Sequence, residues 1–194
     1  MKKNEVKVIW GGRKKTVIPK MGGEGNFSLG VDESVTISGS LDTMYRVSHN
    51  SMSAGDKLLA ASIEGLPDTD TASEFLLWEY TGSNIADAIT LVTASVSSSR
   101  IGHHQEWLVL DCDNGRDDTF KITTNHPLLA KSGSVWAFEY AGDIDTTYKL
   151  VSSSLEEISI NSITEASSSE DEDFRRLDIE PQDTYFADDI LVHN

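Results

Sequence analysis

The last twelve residues constrain this chain more than any other stretch: Asp183-Thr184-Tyr185-Phe186-Ala187-Asp188-Asp189-Ile190-Leu191-Val192-His193-Asn194. The apolar run Ile190-Leu191-Val192 reads as a strand, and it leads straight into His-Asn. An asparagine can attack its own backbone carbonyl through the side-chain amide nitrogen, closing a succinimide and releasing whatever follows. A neighbouring histidine can donate the proton that the leaving amine needs. The pair is therefore expected to mark a chemical boundary. By itself His-Asn reads as an ordinary frayed terminus. The same dipeptide at His49-Asn50 lacks the flank, so the whole segment carries the reading.

The 194 residues suit one domain, or one domain with an appendage, and can bury a real core. No apolar run is long enough to span a bilayer, and the lysine-rich start lacks the apolar stretch of a signal peptide. A single cysteine, Cys112, excludes an internal disulfide framework and has no metal-site spacing. The net charge of -16 argues against nonspecific binding to nucleic acid or an anionic membrane. That charge is unevenly spread. Residues 1–27 carry seven Lys/Arg and two acids, whereas the rest carries nine basic and thirty acidic residues, and the shift marks a boundary near residues 22–27.

In chain order, Val6-Lys7-Val8-Ile9-Trp10 and Thr16-Val17-Ile18 read as polar strands around a Gly11-Gly12 turn, and residues 21–26 as a glycine-rich connector. Val35-Thr36-Ile37 and Met44-Tyr45-Arg46-Val47 continue the strand pattern. Gly55-Asp56-Lys57-Leu58-Leu59 reads as a tight turn opening a strand, with a second Gly-Asp turn at Gly142-Asp143. Glu74-Phe75-Leu76-Leu77-Trp78-Glu79-Tyr80 reads as a buried strand, and residues 85–96 as strand or short helix, since period does not separate the two. His103-His104 has no partner pair at metal-like spacing and reads as a surface turn. A hairpin follows: Trp107-Leu108-Val109-Leu110, the turn Asp113-Asn114-Gly115, and Thr119-Phe120-Lys121-Ile122-Thr123 returning. Alternation over residues 148–163 predicts further strand. The acidic, serine-rich run over residues 167–173 reads as a solvated loop.

The C-terminal segment resembles the downstream splice junction of inteins, which ends in an aromatic pair, a small residue and an apolar run before His-Asn. Thr123-Thr124-Asn125-His126 is similar to the intein Thr-x-x-His motif, and Ser28-Leu29 to the usual start, Cys or Ser followed by Leu. The Gly55-Asp56-Lys57 turn resembles one shared by inteins and hedgehog autoprocessing domains. The resemblance covers residues 28–194 and implies an all-β HINT (hedgehog/intein) fold, a horseshoe with pseudo-twofold symmetry whose strand ends meet at one site. Residues 1–27 would then be a host segment, the N-extein. Within it, Thr16-Val17-Ile18-Pro19-Lys20-Met21-Gly22-Gly23 resembles the segment before the catalytic motif of family B DNA polymerases. There is no room for a homing endonuclease, which makes the chain a mini-intein.

The resemblance also implies roles. Ser28 takes the acyl group of Phe27. Serine stands where cysteine is commoner, either as a natural nucleophile or in place of a cysteine. His126 protonates or polarises the scissile amide, Thr123 and Asn125 hold its carbonyl and amide in place, and Asp178 positions or activates the nucleophile. Asn194 cyclises with help from His193. Inteins commonly place a histidine near Asp183, and this chain does not. No cofactor or metal is implied. The partners are the chain's own exteins, acting in a monomer or a fused or split pair, in the cytoplasm of a microbial or phage-infected cell. The rival readings are a hedgehog-like domain cleaving only at Ser28, and an acidic β-rich binding module without chemistry.

Overall fold

The computed structural model describes residues 54–69, 71–114 and 119–194, side chains at 171–173 and 175 excepted, and upstream of these only the backbone of five strands. Those are β1 (Glu5–Trp10), β2 (Lys20–Met21), β3 (Gly25–Ser28), β4 (Ser34–Ile37) and β5 (Thr43–Ser48). The strands expected at Val6-Lys7-Val8-Ile9-Trp10, Val35-Thr36-Ile37 and Met44-Tyr45-Arg46-Val47 are present. The Gly11-Gly12 turn, Thr16-Val17-Ile18 and residues 22–24 of the glycine-rich connector lie outside the described residues, while Met21 ends β2 and Gly25-Asn26 open β3.

Downstream, ten further strands follow: β6 (Lys57–Ile63), β7 (Glu79–Tyr80), β8 (Ile89–Cys112), β9 (Phe120–Ile122), β10 (Pro127–Ser132), β11 (Val135–Tyr140), β12 (Lys149–Val151), β13 (Glu157–Glu180), β14 (Thr184–Ala187) and β15 (Ile190–His193). Seven of them pair in a closed circuit. β8 pairs β6, β6 pairs β14, β14 pairs β15, β15 pairs β10, β10 pairs β12, β12 pairs β13, and β13 returns to β8, every pair antiparallel. Closure of this kind leaves no free edge within the ring.

The period-2 alternation of the ring strands sorts their side chains into two cores. Leu58 and Ala60, Leu128 and Ala130, Tyr185 and Ala187, and Ile190 and Val192 enter one core. Their neighbours Leu59 and Ala61, Leu129, Phe186 and Leu191 enter the other, where they meet Trp136 and Phe138 of β11, Trp78, and Phe75 of the single-turn helix α1 (Ala72–Phe75). β15 is thus buried on both faces, and Ile190, Leu191 and Val192 have no exposure. Burying each of them is worth roughly 1.5–3 kcal/mol relative to leaving it in water.

The two Gly-Asp turns carry an internal repeat. Gly55-Asp56 opens β6, which pairs the first part of β8; Gly142-Asp143 precedes β12, which pairs the first part of β13. The two long strands, 24 residues each, then pair antiparallel with one another from Ile160↔Cys112 to Glu180↔Ser95. Extended straight, such a ribbon would reach about 80 Å, yet both of its ends feed one core through Val96, Leu110, Ile160 and Ile179.

Three sequence expectations are corrected. The acidic run over residues 167–173 belongs to β13, not to a loop. Its polarity is accommodated because Ser167 faces Glu106 and Glu172 faces His104, so the residues between bulge out opposite Gln105. His103-His104 is likewise not a turn but part of β8, where exposed ribbon needs no apolar alternation. The run expected as a buried strand over residues 74–80 is split: Phe75 ends α1, Leu77 is exposed, and only Glu79–Tyr80 is strand. Residues 85–96 resolve into a 3-10 turn over Ile85–Asp87 and the start of β8. The hairpin of β8 with β9 is as expected, Leu108 facing Ile122; Gly115 of its turn lies outside the described residues.

β14 and β15 are joined by Asp188 and Asp189, both left-handed at φ 52° and 69°, the geometry of a type I′ hairpin turn. Asp189 is held there by Ser153, whose backbone N–H donates to Oδ1 at 3.0 Å and whose hydroxyl donates to the same oxygen. Asp189→Ala should lower unfolding stability by about 1–2 kcal/mol, through the lost acceptor and a poorer left-handed residue. Asp189→Asn keeps both features and should cost less, as read by urea denaturation.

Candidate active site

The site forms where β10 and β15 end. Leu128 faces Val192 across this antiparallel ladder, so two residues further along His126 comes opposite Asn194. Between β9 and β10, Thr123-Thr124-Asn125-His126 makes a tight turn closed by the His126 N–H donating to the Thr123 carbonyl at 3.1 Å. The second Gly-Asp turn holds it from behind. Gly142 N–H donates to the Thr124 carbonyl at 2.8 Å, and Ala141 N–H donates to the His126 carbonyl at 3.0 Å. A Cβ on Gly142 would stand 3.1 Å from the Thr124 oxygen, which is why this close approach takes glycine.

His126 is half-buried. Burial draws its imidazole from 6.5 down to about 4, and the charges of Arg176 and His193 act in the same direction. At neutral pH the ring is uncharged, one nitrogen donating and the other accepting. Tyr185, without exposure, is pushed the other way: burial raises its phenol, against the opposing Arg176 charge and Leu177 backbone.

His193 is wholly buried. Its ring stacks on Phe75, with 3.9 Å between centroids and 18° between planes, and meets Phe138 edge-on at 5.4 Å. This slot places Nδ1 3.0 Å from the backbone carbonyl oxygen of Asn194. A carbonyl oxygen only accepts, so Nδ1 carries the proton in this contact.

Asn194 is held from three directions. Its N–H donates to the Asp183 carbonyl at 2.8 Å, its Nδ2 donates to Asp178 Oδ1 at 3.3 Å, and its carbonyl receives His193. The second oxygen of Asp178, Oδ2, accepts from the Ser98 hydroxyl at 3.3 Å, while the Ser97 hydroxyl donates to the Asp178 carbonyl at 3.1 Å.

Of the residues singled out in the sequence, His126, Asp178, His193 and Asn194 come together, with Thr123 closing the adjoining turn. Asn125 lies on the exposed side of that turn. Ser28 ends β3, which pairs β4 in a separate two-stranded sheet, and its side chain lies outside the described residues. Where a histidine is expected near Asp183, the chain offers that residue's backbone carbonyl. Sequence reasoning missed Ser98, Phe75 and Phe138. Ser98 sits in a featureless serine run, and no periodicity flags a residue whose partner lies 80 positions away.

The depressed His126 sets a sign for stability against pH. Between about 6.5 and about 4 the unfolded chain binds a proton that the folded chain refuses, so stability falls as pH drops through that window. His126→Gln should flatten the fall, seen as a smaller loss of urea midpoint between pH 7 and pH 4.5. Gly142→Ala should cost about 1–3 kcal/mol by the same measurement, because backbone must move.

No protein-family model matches the sequence, and no curated protein matches it either. Among solved structures, the chain is similar to the bacterial intein-like domain from Clostridium thermocellum, at TM-score 0.55 and 17% identity, covering 94% of this chain and 100% of that one. Looser likenesses run to an intein from a hyperthermophile (TM-score 0.48, 17% identity, 73% of this chain and 98% of that one). The DnaB intein from Synechocystis sp. PCC 6803 gives TM-score 0.45 at 23% identity, with 72% of this chain and 95% of that one covered. The chain has the all-β fold of inteins, the HINT fold.

Proposed function

We propose that the chain is a self-splicing protein domain, a serine-type mini-intein spanning residues 28–194, with residues 1–27 as its upstream host segment. The observation that carries this reading is the fixation of Asn194: its amide nitrogen on Asp178 and its own carbonyl oxygen on His193 Nδ1. An ordinary terminal asparagine has no need of both. The His193 contact falls on the oxygen that turns anionic when the side chain attacks, where a fixed donor contributes most.

The reaction runs in four steps without cofactor. The Ser28 hydroxyl attacks the Phe27 carbonyl, and the amide becomes an ester as the Ser28 nitrogen takes up the proton. Neutral His126 assists by hydrogen bonding to the scissile amide, with Thr123 and Asn125 holding it. A hydroxyl or thiol at the start of the downstream host segment next displaces the ester. Asn194 Nδ2 then attacks its own carbonyl, releasing the branched product. Finally the ester rearranges to an amide. The charge break near residues 22–27 supports the proposed boundary, and residues 16–23 suggest a family B DNA polymerase as host. The domain acts within one chain, its partners being its own flanking segments.

The test extends the chain beyond Asn194 with a short segment beginning with serine and follows intact mass. The expected species are residues 1–27 joined to the added segment, and free residues 28–194. Asn194→Ala should block release, and His193→Ala should slow it about a hundredfold. An unchanged mass in both the parent and Ser28→Cys would overturn the reading.

A further inference from the structure

We propose that Ser98 is a positioning residue for the cyclisation of Asn194, acting through Asp178; this rests on the splicing reading above. Ser98, Asp178 and Asn194 form one hydrogen-bonded line: hydroxyl to Oδ2, then Oδ1 to the Asn194 amide, each at 3.3 Å. With Oδ2 engaged, rotation of the carboxylate is checked and Oδ1 is directed at the attacking nitrogen.

The arrangement is built by a β-bulge. Ile179 faces Val96 and Glu180 faces Ser95, so an unbroken ladder would set Asp178 opposite Ser97. Instead Asp178 faces Ser98, and Ser97 is the extra residue. Directly opposite residues share a face of the ribbon, so the bulge brings the Ser98 hydroxyl alongside the carboxylate. Ser97 is not idle: its hydroxyl ties down the Asp178 carbonyl at 3.1 Å. Two serine hydroxyls therefore lock the backbone and side chain of one aspartate.

The chemistry explains why this chain uses such a device. The position near Asp183, where the resemblance implies a histidine, contributes a backbone acceptor to Asn194. His193 Nδ1 serves the carbonyl oxygen. Some group must still orient the amide and receive its proton. As the Nδ2–C bond forms, the nitrogen becomes acidic and passes one proton to Asp178 Oδ1. As the bond from that carbon to the downstream residue breaks, the departing amine takes up that same proton, while the His193 Nδ1–H stays directed at the carbonyl oxygen. Asp178 and His193 therefore end as they began, and protons and charge balance.

The test isolates cyclisation with Ser28→Ala, in the chain extended beyond Asn194, and measures release of the downstream segment from pH 5 to pH 8. Ser98→Val removes the hydroxyl with a residue suited to strand. It should slow release about tenfold, the worth of one hydrogen bond to a charged group. Ser98→Thr is nearly isosteric with valine but keeps the hydroxyl, and should restore the rate. Ser98→Ala replaces Ser98→Val if thermal unfolding shows the latter unfolded.

Release by Ser98→Val at the parent rate would overturn the positioning role while leaving splicing intact. Equal slowing by Val and Thr would also overturn it. No release from the parent at any pH would remove the splicing reading, and the positioning role with it.

Discussion

The site depends on burial of β15 from both sides. Ile190 and Val192 point into one core and Leu191 into the other, while β10 and β14 occupy both edges of the strand. A strand so enclosed cannot shift by one residue without turning every side chain to the wrong core. His193 and Asn194 inherit that rigidity, although the first ends and the second follows a four-residue strand that would fray if it lay at an edge. Placement on such a strand gives the asparagine amide and its own carbonyl a fixed geometry, the condition for an intramolecular attack.

Burial also sets the electrostatics. The molecule carries a net charge of -16, yet the groups around Asn194 are governed by exclusion of water. Burial holds His126 uncharged at neutral pH, suiting it to polarise an amide by hydrogen bonding. His193 is packed between Phe75 and Phe138, a slot that fixes ring orientation without competing for its nitrogens. Asp178 keeps its carboxylate in two directed contacts, and each contact gains strength from the low local dielectric.

Much of the architecture was legible from residue pattern. The two Gly-Asp turns, the β8–β9 hairpin and the strand at Ile190-Leu191-Val192 follow from turn chemistry and apolar patterning. The long ribbon was not. Over residues 97–106 and 161–170 its side chains are largely exposed, so no apolar alternation marks them, and strand pairing rather than burial holds the ribbon. For the same reason His103-His104 and the acidic run looked like turn and loop. Phe75 was legible as buried but not as helical, because one turn of helix leaves too few residues for a period.

The sequence by itself determined which chemical groups exist: an asparagine able to cyclise, a histidine beside it, a Thr-x-x-His turn, and an aspartate flanked by apolar residues. It also determined which face of each buried strand is apolar, since period-2 alternation is local and survives without knowledge of neighbours. Tertiary structure alone decided who meets whom. The pairing of Asp178 with Ser98 turns on a single extra residue at Ser97, and the stacking of His193 on Phe75 on where α1 docks. Both follow from ring closure and strand register, which sum small preferences over the whole chain and leave no trace in any short stretch of it.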